Sequence, residues 1–186
     1  MKYKIGVFGS AKNEEKALKK AEELGKELSK HNLIVLTGAC EGIPYRVAST
    51  AFSLGTEVWG FAPAVNLKEQ KKIYPRQDLS IYKKLFYIPN NYSFKKDLNI
   101  CKKYRSITLV VACDAGIIIS GRWGTMNEFT NLYDFGKIIG VLTGSGGVAD
   151  ELPKLMKKII KKTRAEVIFN RDPKKLVVQL INRLEL

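Results

Sequence analysis

The sequence predicts an α/β fold: a three-layer sandwich with a mostly parallel central sheet and helices on both faces. Short apolar runs rich in β-formers alternate with stretches of helical periodicity, and several of those runs end in glycine-containing turns. Hydrophobic residues make up 45% of the 186 positions, enough for one domain over residues 1–186 to bury its own core. Such alternation requires crossover connections between parallel neighbours. Ligands of these sheets bind beyond the carboxyl ends of the strands.

Tyr3 to Phe8 reads as a buried strand running into the turn Gly9-Ser10. Asn13 is placed to cap a helix whose first turn holds Glu14 and Glu15, with Ala17, Leu18, Ala21, Leu24 and Leu28 at helical spacing up to about Lys30. Leu33 to Leu36 is a second strand, followed by a turn from Thr37 to Gly42 and a helix running through Ala51 to Leu54. Glu57 to Phe61 is a third strand, and Ala62 to Lys84, broken by Pro63 and Pro75, reads as a long loop over one edge. Leu85 to Ile88 is a strand. Ser93 to about Val111 suits a long helix, although Ile107 to Val111 alone also fits a strand. Asp114 to Ile119, Lys137 to Leu142 and Glu166 to Phe169 follow as strands; Thr125 to Tyr133, Glu151 to Lys162 and Pro173 to Leu184 follow as helices.

The formal charge of +14 favours phosphate-bearing partners. Nucleic acid is not expected, because the lysines are spread along the chain as solvated helix faces. No apolar run approaches bilayer length, so neither a membrane partner nor a membrane span is expected and the location is read as cytoplasmic. The three cysteines form no CxxC or Cys/His pattern, which suits a reducing compartment and implies no metal site. The single histidine, His31, disfavours histidine triads and histidine metal clusters. Cys40 and Cys113 read as small buried hydrophobes, and Trp59 as core.

The informative stretch runs from Asp114 to Glu128, where an apolar strand breaks into a glycine-containing turn that opens a helix. Glycines let a backbone approach an anion, and the first amides of a helix lack partners and sit at the positive end of its dipole. Gly121, Gly124 and Thr125 are the candidate phosphate holders. Thr125-Met126-Asn127-Glu128 also has the form of a capping box, in which each end satisfies the other's backbone donor.

Ser120-Gly121-Arg122-Trp123-Gly124-Thr125-Met126-Asn127-Glu128 resembles the LONELY GUY (LOG) signature Pro-Gly-Gly-x-Gly-Thr-x-x-Glu, and the family's upstream arginine falls on Arg105. Gly9-Ser10 resembles its early turn, and Thr37 to Ile43, with Gly38 and Gly42, its second glycine-rich turn. The likeness covers roughly residues 3 to 142. The chain departs from the family at Ser120 (proline there), at Arg122 (the second glycine) and at Asn127 (commonly acidic). Arg122 strains the backbone if its position needs positive φ, and otherwise offers a guanidinium to a phosphate or carboxylate.

The resemblance implies a Rossmann-like, nucleotide-binding fold, a homodimer or higher homo-oligomer with the site near the subunit interface, and no cofactor. It implies hydrolysis of a nucleoside 5′-monophosphate to free base and ribose 5-phosphate. In that scheme Glu128 stabilises charge on the ribose and handles water, and Arg105 holds the phosphate or ribose hydroxyls. Gly121, Arg122, Gly124 and Thr125 bind the 5′-phosphate, with Gly9, Ser10, Gly38 and Gly42 as further pocket residues. The alternative is a carrier or sensor of a nucleotide or of molybdenum cofactor that uses the same pocket without turnover. Trp123, inside the loop, either stacks on a base or packs a dimer contact.

Overall fold

The computed structural model describes residues 2–12 and 15–186; the expected cap Asn13 and its neighbour Glu14 lie outside them. Strand β1 (Tyr3–Gly9) leads to α1 (Glu15–Leu28), β2 (Leu33–Thr37), α2 (Ile43–Ser53), β3 (Glu57–Phe61), α3 (Leu67–Ile73) and β4 (Lys84–Phe86). The second half adds α4 (Leu98–Ala112), β5 (Ala115–Ile119), α5 (Trp123–Asp134), β6 (Ile138–Leu142), α6 (Gly147–Lys158), β7 (Glu166–Asn170) and α7 (Pro173–Leu184). All strand pairs are parallel, in the order β4-β3-β2-β1-β5-β6-β7. This is a Rossmann-like three-layer fold.

Strand alternation divides the core. Ile5, Val7, Val35, Ile117 and Ile119 face one layer, where they meet α1, α2 and α7; Phe8, Leu36, Ile118 and Val141 face the other, against α4, α5 and α6. The central strands β2 and β5 are buried at every position, which is why they read as continuous apolar runs. The chain builds outward from β1 through β4 on one side and then returns to place β5 on β1's other side. The order therefore reverses between β1 and β5, and their carboxyl ends, Gly9-Ser10 and Ser120-Gly121, flank the crevice where ligands of such folds sit.

Several expectations need correction. The expected loop from 62 to 84 contains α3: Asn66 caps it by accepting from the Glu69 amide at 2.9 Å, and its Gln70 is buried and donates to the Ala39 carbonyl. The expected start of α4 at Ser93 shifts to Leu98, because Asp97 accepts from the Asn99 and Ile100 amides; the helix continues through Ile107 to Val111, so the strand alternative there fails. Helix α6 begins four residues before Glu151 and ends at Lys158 rather than Lys162. Trp59 is half-buried, with its ring against Phe86 and Lys84 and its indole N–H donating to Glu57. Among the described residues no helix is long and apolar enough to cross a membrane.

Where β5 meets α5, a β carbon on Gly116 would fall 2.5 Å from Leu132 Cδ1. Leu132→Ala should cost about 2–5 kcal/mol through the cavity it leaves, and Gly116→Ala alone about 1–3 kcal/mol through overpacking. Urea unfolding of the double variant should show a loss well below the sum, because the new methyl refills part of the void.

Candidate functional site

At the switch point lies an open cleft of about 530 Å3. Its walls come from the end of β1 (Val7, Phe8, Gly9, Ser10), the β2–α2 turn (Gly38, Cys40), one face of α4 and the start of α5. On α4 the lining residues are Asn99, Lys102, Lys103 and Ser106, with Arg105 beside them. Four of those five recur at i, i+3, i+4 and i+7, the spacing of a single helix face. That spacing is the signal by which Asn99, Lys102, Lys103 and Ser106 were findable in the sequence, where only Arg105 was singled out.

The first turn of α5 carries no side-chain cap, and Arg122 occupies the N-cap position with φ −129. Gly121 before it absorbs the turn at φ 101, so Arg122 sits in extended backbone without strain and its side chain lines the cleft. Among the described residues the amides of Trp123, Gly124 and Thr125 have no backbone acceptor. The expected capping box is absent: Thr125 lies inside the helix, and the Glu128 carboxylate accepts from Ser106 Oγ at 2.8 Å instead. A serine on the neighbouring helix has displaced the local backbone donor.

Of the residues expected at the site, Gly9, Ser10, Gly38, Arg105, Arg122, Gly124, Thr125 and Glu128 all line this cleft. Two lie outside its lining. Gly42 packs under the β1 turn, where the next amide, Ile43 N, donates to Ser10 O at 2.9 Å. Gly121 is buried, and its carbonyl accepts from Val148 N at 2.9 Å. The loop is braced from the same side by Ser145, whose Oγ accepts from the Ser120 amide at 2.7 Å. Cys40, expected as buried filler, is half-buried in the cleft with its sulfur 3.9 Å from Arg105 Nη1, whereas Cys113 is buried as expected.

Arg105 reaches across the cleft floor to donate from Nη1 to the Gly38 carbonyl at 2.7 Å. A β carbon at Gly38 would lie 1.3 Å from that nitrogen, so the guanidinium occupies the space that any side chain at position 38 would need. Among the described residues its Nε has no hydrogen-bond partner. Burial works against the Arg105 charge, but Cys40, Glu128 and Tyr74 nearby outweigh it and hold the pKa above the ordinary arginine value. Glu128 has the opposite balance: loss of solvent raises its pKa above the usual carboxylate range, and Arg105, Ser106 and Lys103 offset this only in part.

Among the described residues the charged groups lining the cleft are four cations, Lys102, Lys103, Arg105 and Arg122, and one carboxylate, Glu128. Fixed amides at a helix start and convergent positive charge in a partly dry recess give the cleft a field that suits an anion. Among the described residues no cluster of histidine, cysteine or carboxylate side chains is arranged to hold a metal ion.

Two outcomes follow. Gly38→Ala should expel the Arg105 guanidinium from its seat and leave the carbonyl of position 38 without that donor, so urea unfolding should show a loss of about 1–3 kcal/mol. Because the Glu128 pKa is raised on folding, its protonated form contributes stability that is complete below the ordinary glutamate value and lost as pH climbs through the raised one. Thermal melting of wild type and Glu128→Gln from about pH 4 to about pH 7 should therefore show the variant gaining on wild type as pH rises.

The fold has relatives. In solved structures the chain matches the protein designated TM1055 with a TM-score of 0.75 at 21% identity, covering 98% of this chain and 99% of that one. It matches the molybdenum cofactor binding protein of Rippkaea orientalis with a TM-score of 0.69 at 18% identity, over 100% and 99% of the two chains. The molybdenum cofactor carrier protein of Chlamydomonas reinhardtii gives 0.68 at 17% identity, again over 100% and 99%. DNA processing protein A of Helicobacter pylori, described with a single-stranded DNA binding mode, gives 0.64 at 14% identity over 98% and 80%. At these identities the likeness is one of fold. No curated protein sequence matches the chain significantly. The SLOG cluster4 family model matches residues 2–177, and the chain belongs to that family, within the LOG-like superfamily.

Proposed function

We propose that the protein binds a phosphorylated ring ligand, a nucleotide or a pterin-type cofactor such as molybdenum cofactor, in the switch-point cleft and serves as its carrier or sensor. The observation that carries this reading is the charge of the cleft. Among the described residues four cations line the cleft that the first turn of α5 opens on, no side chain caps that turn, and one oxygen of Glu128, the carboxylate among the lining groups, is already taken by Ser106. A phosphate seated against the amides of Trp123 to Thr125 meets the helix dipole, and Arg122 is placed to add a bidentate contact. The Rippkaea and Chlamydomonas proteins, named for molybdenum cofactor, share the fold over their whole length, which supports a pterin phosphate as one candidate cargo.

A second reading is favoured by one feature. Glu128 faces the cleft with its pKa raised by loss of solvent and with Arg105 nearby, and a carboxyl in that position can exchange a proton with a bound ligand. In a nucleoside 5′-monophosphate held by its phosphate, it would protonate the departing base or direct water at the anomeric carbon, giving base and ribose 5-phosphate. On either reading the protein acts as a single domain over residues 1–186, in the cytoplasm, as a homodimer or larger homo-oligomer.

Turnover separates the readings. AMP, GMP and purified molybdenum cofactor should be tested by thermal shift, with free base followed by chromatography. The carrier reading expects a phosphorylated ligand to raise the melting temperature, by the equivalent of about 2.7 kcal/mol at a hundredfold excess over Kd, with no base released. Arg122→Ala should weaken that binding about tenfold. Base release abolished by Glu128→Gln would establish the hydrolase instead, and the absence of stabilisation by every phosphorylated ligand would defeat both.

A further inference from the structure

A second groove, of about 540 Å3, lies between α5 and α6 and shares two lining residues, Arg122 and Trp123, with the first cleft. The two recesses therefore meet along one ridge. Its floor is apolar, built from Met126, Val148 and Leu155, and among the described residues its rim carries Arg122, Lys154 and Lys158 against one carboxylate, Glu151. Among the described residues the side chains of Arg122, Lys154 and Lys158 form no hydrogen bond or ion pair, and the Arg122 backbone carbonyl accepts from Met126 N. Trp123 stands at the ridge with 86% of its surface exposed, far more than a side chain packed for stability would show.

We propose that this groove is a second ring subsite, and that the ligand is a dinucleotide: two flat ring systems joined by a pyrophosphate that crosses the Arg122-Trp123 ridge. The proposal rests on the first cleft being the phosphate site described above. The ridge supplies what a linking pyrophosphate requires, a guanidinium and the start of α5 on one side and the Lys154 and Lys158 ammonium groups on the other. The indole offers a π-face to a base, and the apolar floor takes the ring edge. A purely apolar ligand would leave three cations at the rim unpaired, and a cationic one would be repelled by them. Both failings exclude ligands without negative charge next to the ring.

The test compares AMP with diadenosine pyrophosphate by calorimetry, on wild type and on a Lys154→Glu/Lys158→Glu variant altered only at exposed positions outside the first cleft. Diadenosine pyrophosphate should bind at least about tenfold tighter than AMP, as one added base stack and its phosphate contacts require. The double variant should lose that advantage while AMP affinity and melting temperature stay unchanged. Equal affinities for the two ligands on wild type would overturn the second subsite and leave the first cleft standing. If neither ligand bound, the first reading would fall as well. A dimer that the double variant dissolves, with the two ligands still bound equally, would assign the groove to a second copy of the chain.

Discussion

The contact between the Arg105 guanidinium and the Gly38 carbonyl fixes the geometry on which the site depends. It joins α4, which follows β4 at the sheet edge, to the turn after β2, near the sheet centre. The cleft is thus closed along one wall by a side chain in place of backbone. The arrangement is possible only because position 38 has no β carbon, and the same nitrogen lies close to Cys40. The turn is held from behind by Gln70, whose amide donates to Ala39 at 2.6 Å. Helix α3 therefore supports the cleft although none of its residues lines it.

Charge inside the cleft follows from competition between desolvation and pairing. Arg105 and Glu128 share a recess and feel one another, but among the described residues no ion pair joins them: the arginine is spent on a carbonyl and the carboxylate on a serine. A partly buried charge that is hydrogen-bonded yet incompletely neutralised remains available to a ligand's opposite charge. With Lys102, Lys103 and Arg122 added, the balance favours an anion. The net charge of +14 supplies a background field; the local convergence of side chains gives it a destination.

Much of this was legible in the sequence, for physical reasons that differ by element. Strands β2 and β5 are buried on both faces, so Leu33 to Leu36 and Asp114 to Ile119 stood out as apolar runs. The seven-residue α3 has one buried position, Gln70, and so lacked the apolar stripe that marks longer helices. Its one local signal was the Asn66 cap with Glu69 three residues on. At the site, the helix opening after Ser120 and the pair Arg105 and Glu128 followed from motif and spacing. The role of Ser106 was not legible, since Thr125-Met126-Asn127-Glu128 satisfies the local capping pattern and only tertiary packing shows that Ser106 takes the carboxylate. Arg122 resolves likewise: the sequence left strain or binding open, and φ −129 removes the strain.

Among the described residues two that are not glycine adopt left-handed backbone, Ala39 at φ 45 and Ser120 at φ 53. They follow β2 and β5, the strands on either side of β1, so they flank the crevice symmetrically. Each such residue costs about 1–2 kcal/mol, and both are fully buried, where the surrounding structure imposes the conformation. Gln70 holds the first and Ser145 the second. Left-handed turns at these points swing the chain sharply away from the strand ends, which leaves the crevice open and aims the following backbone at it. The strain is therefore located beside the cleft, and its supports come from Gln70 of α3 and Ser145 of the β6–α6 loop, neither of which lines it. A binding surface built this way is set before the ligand arrives, so little of the ligand's interaction energy is consumed in ordering it.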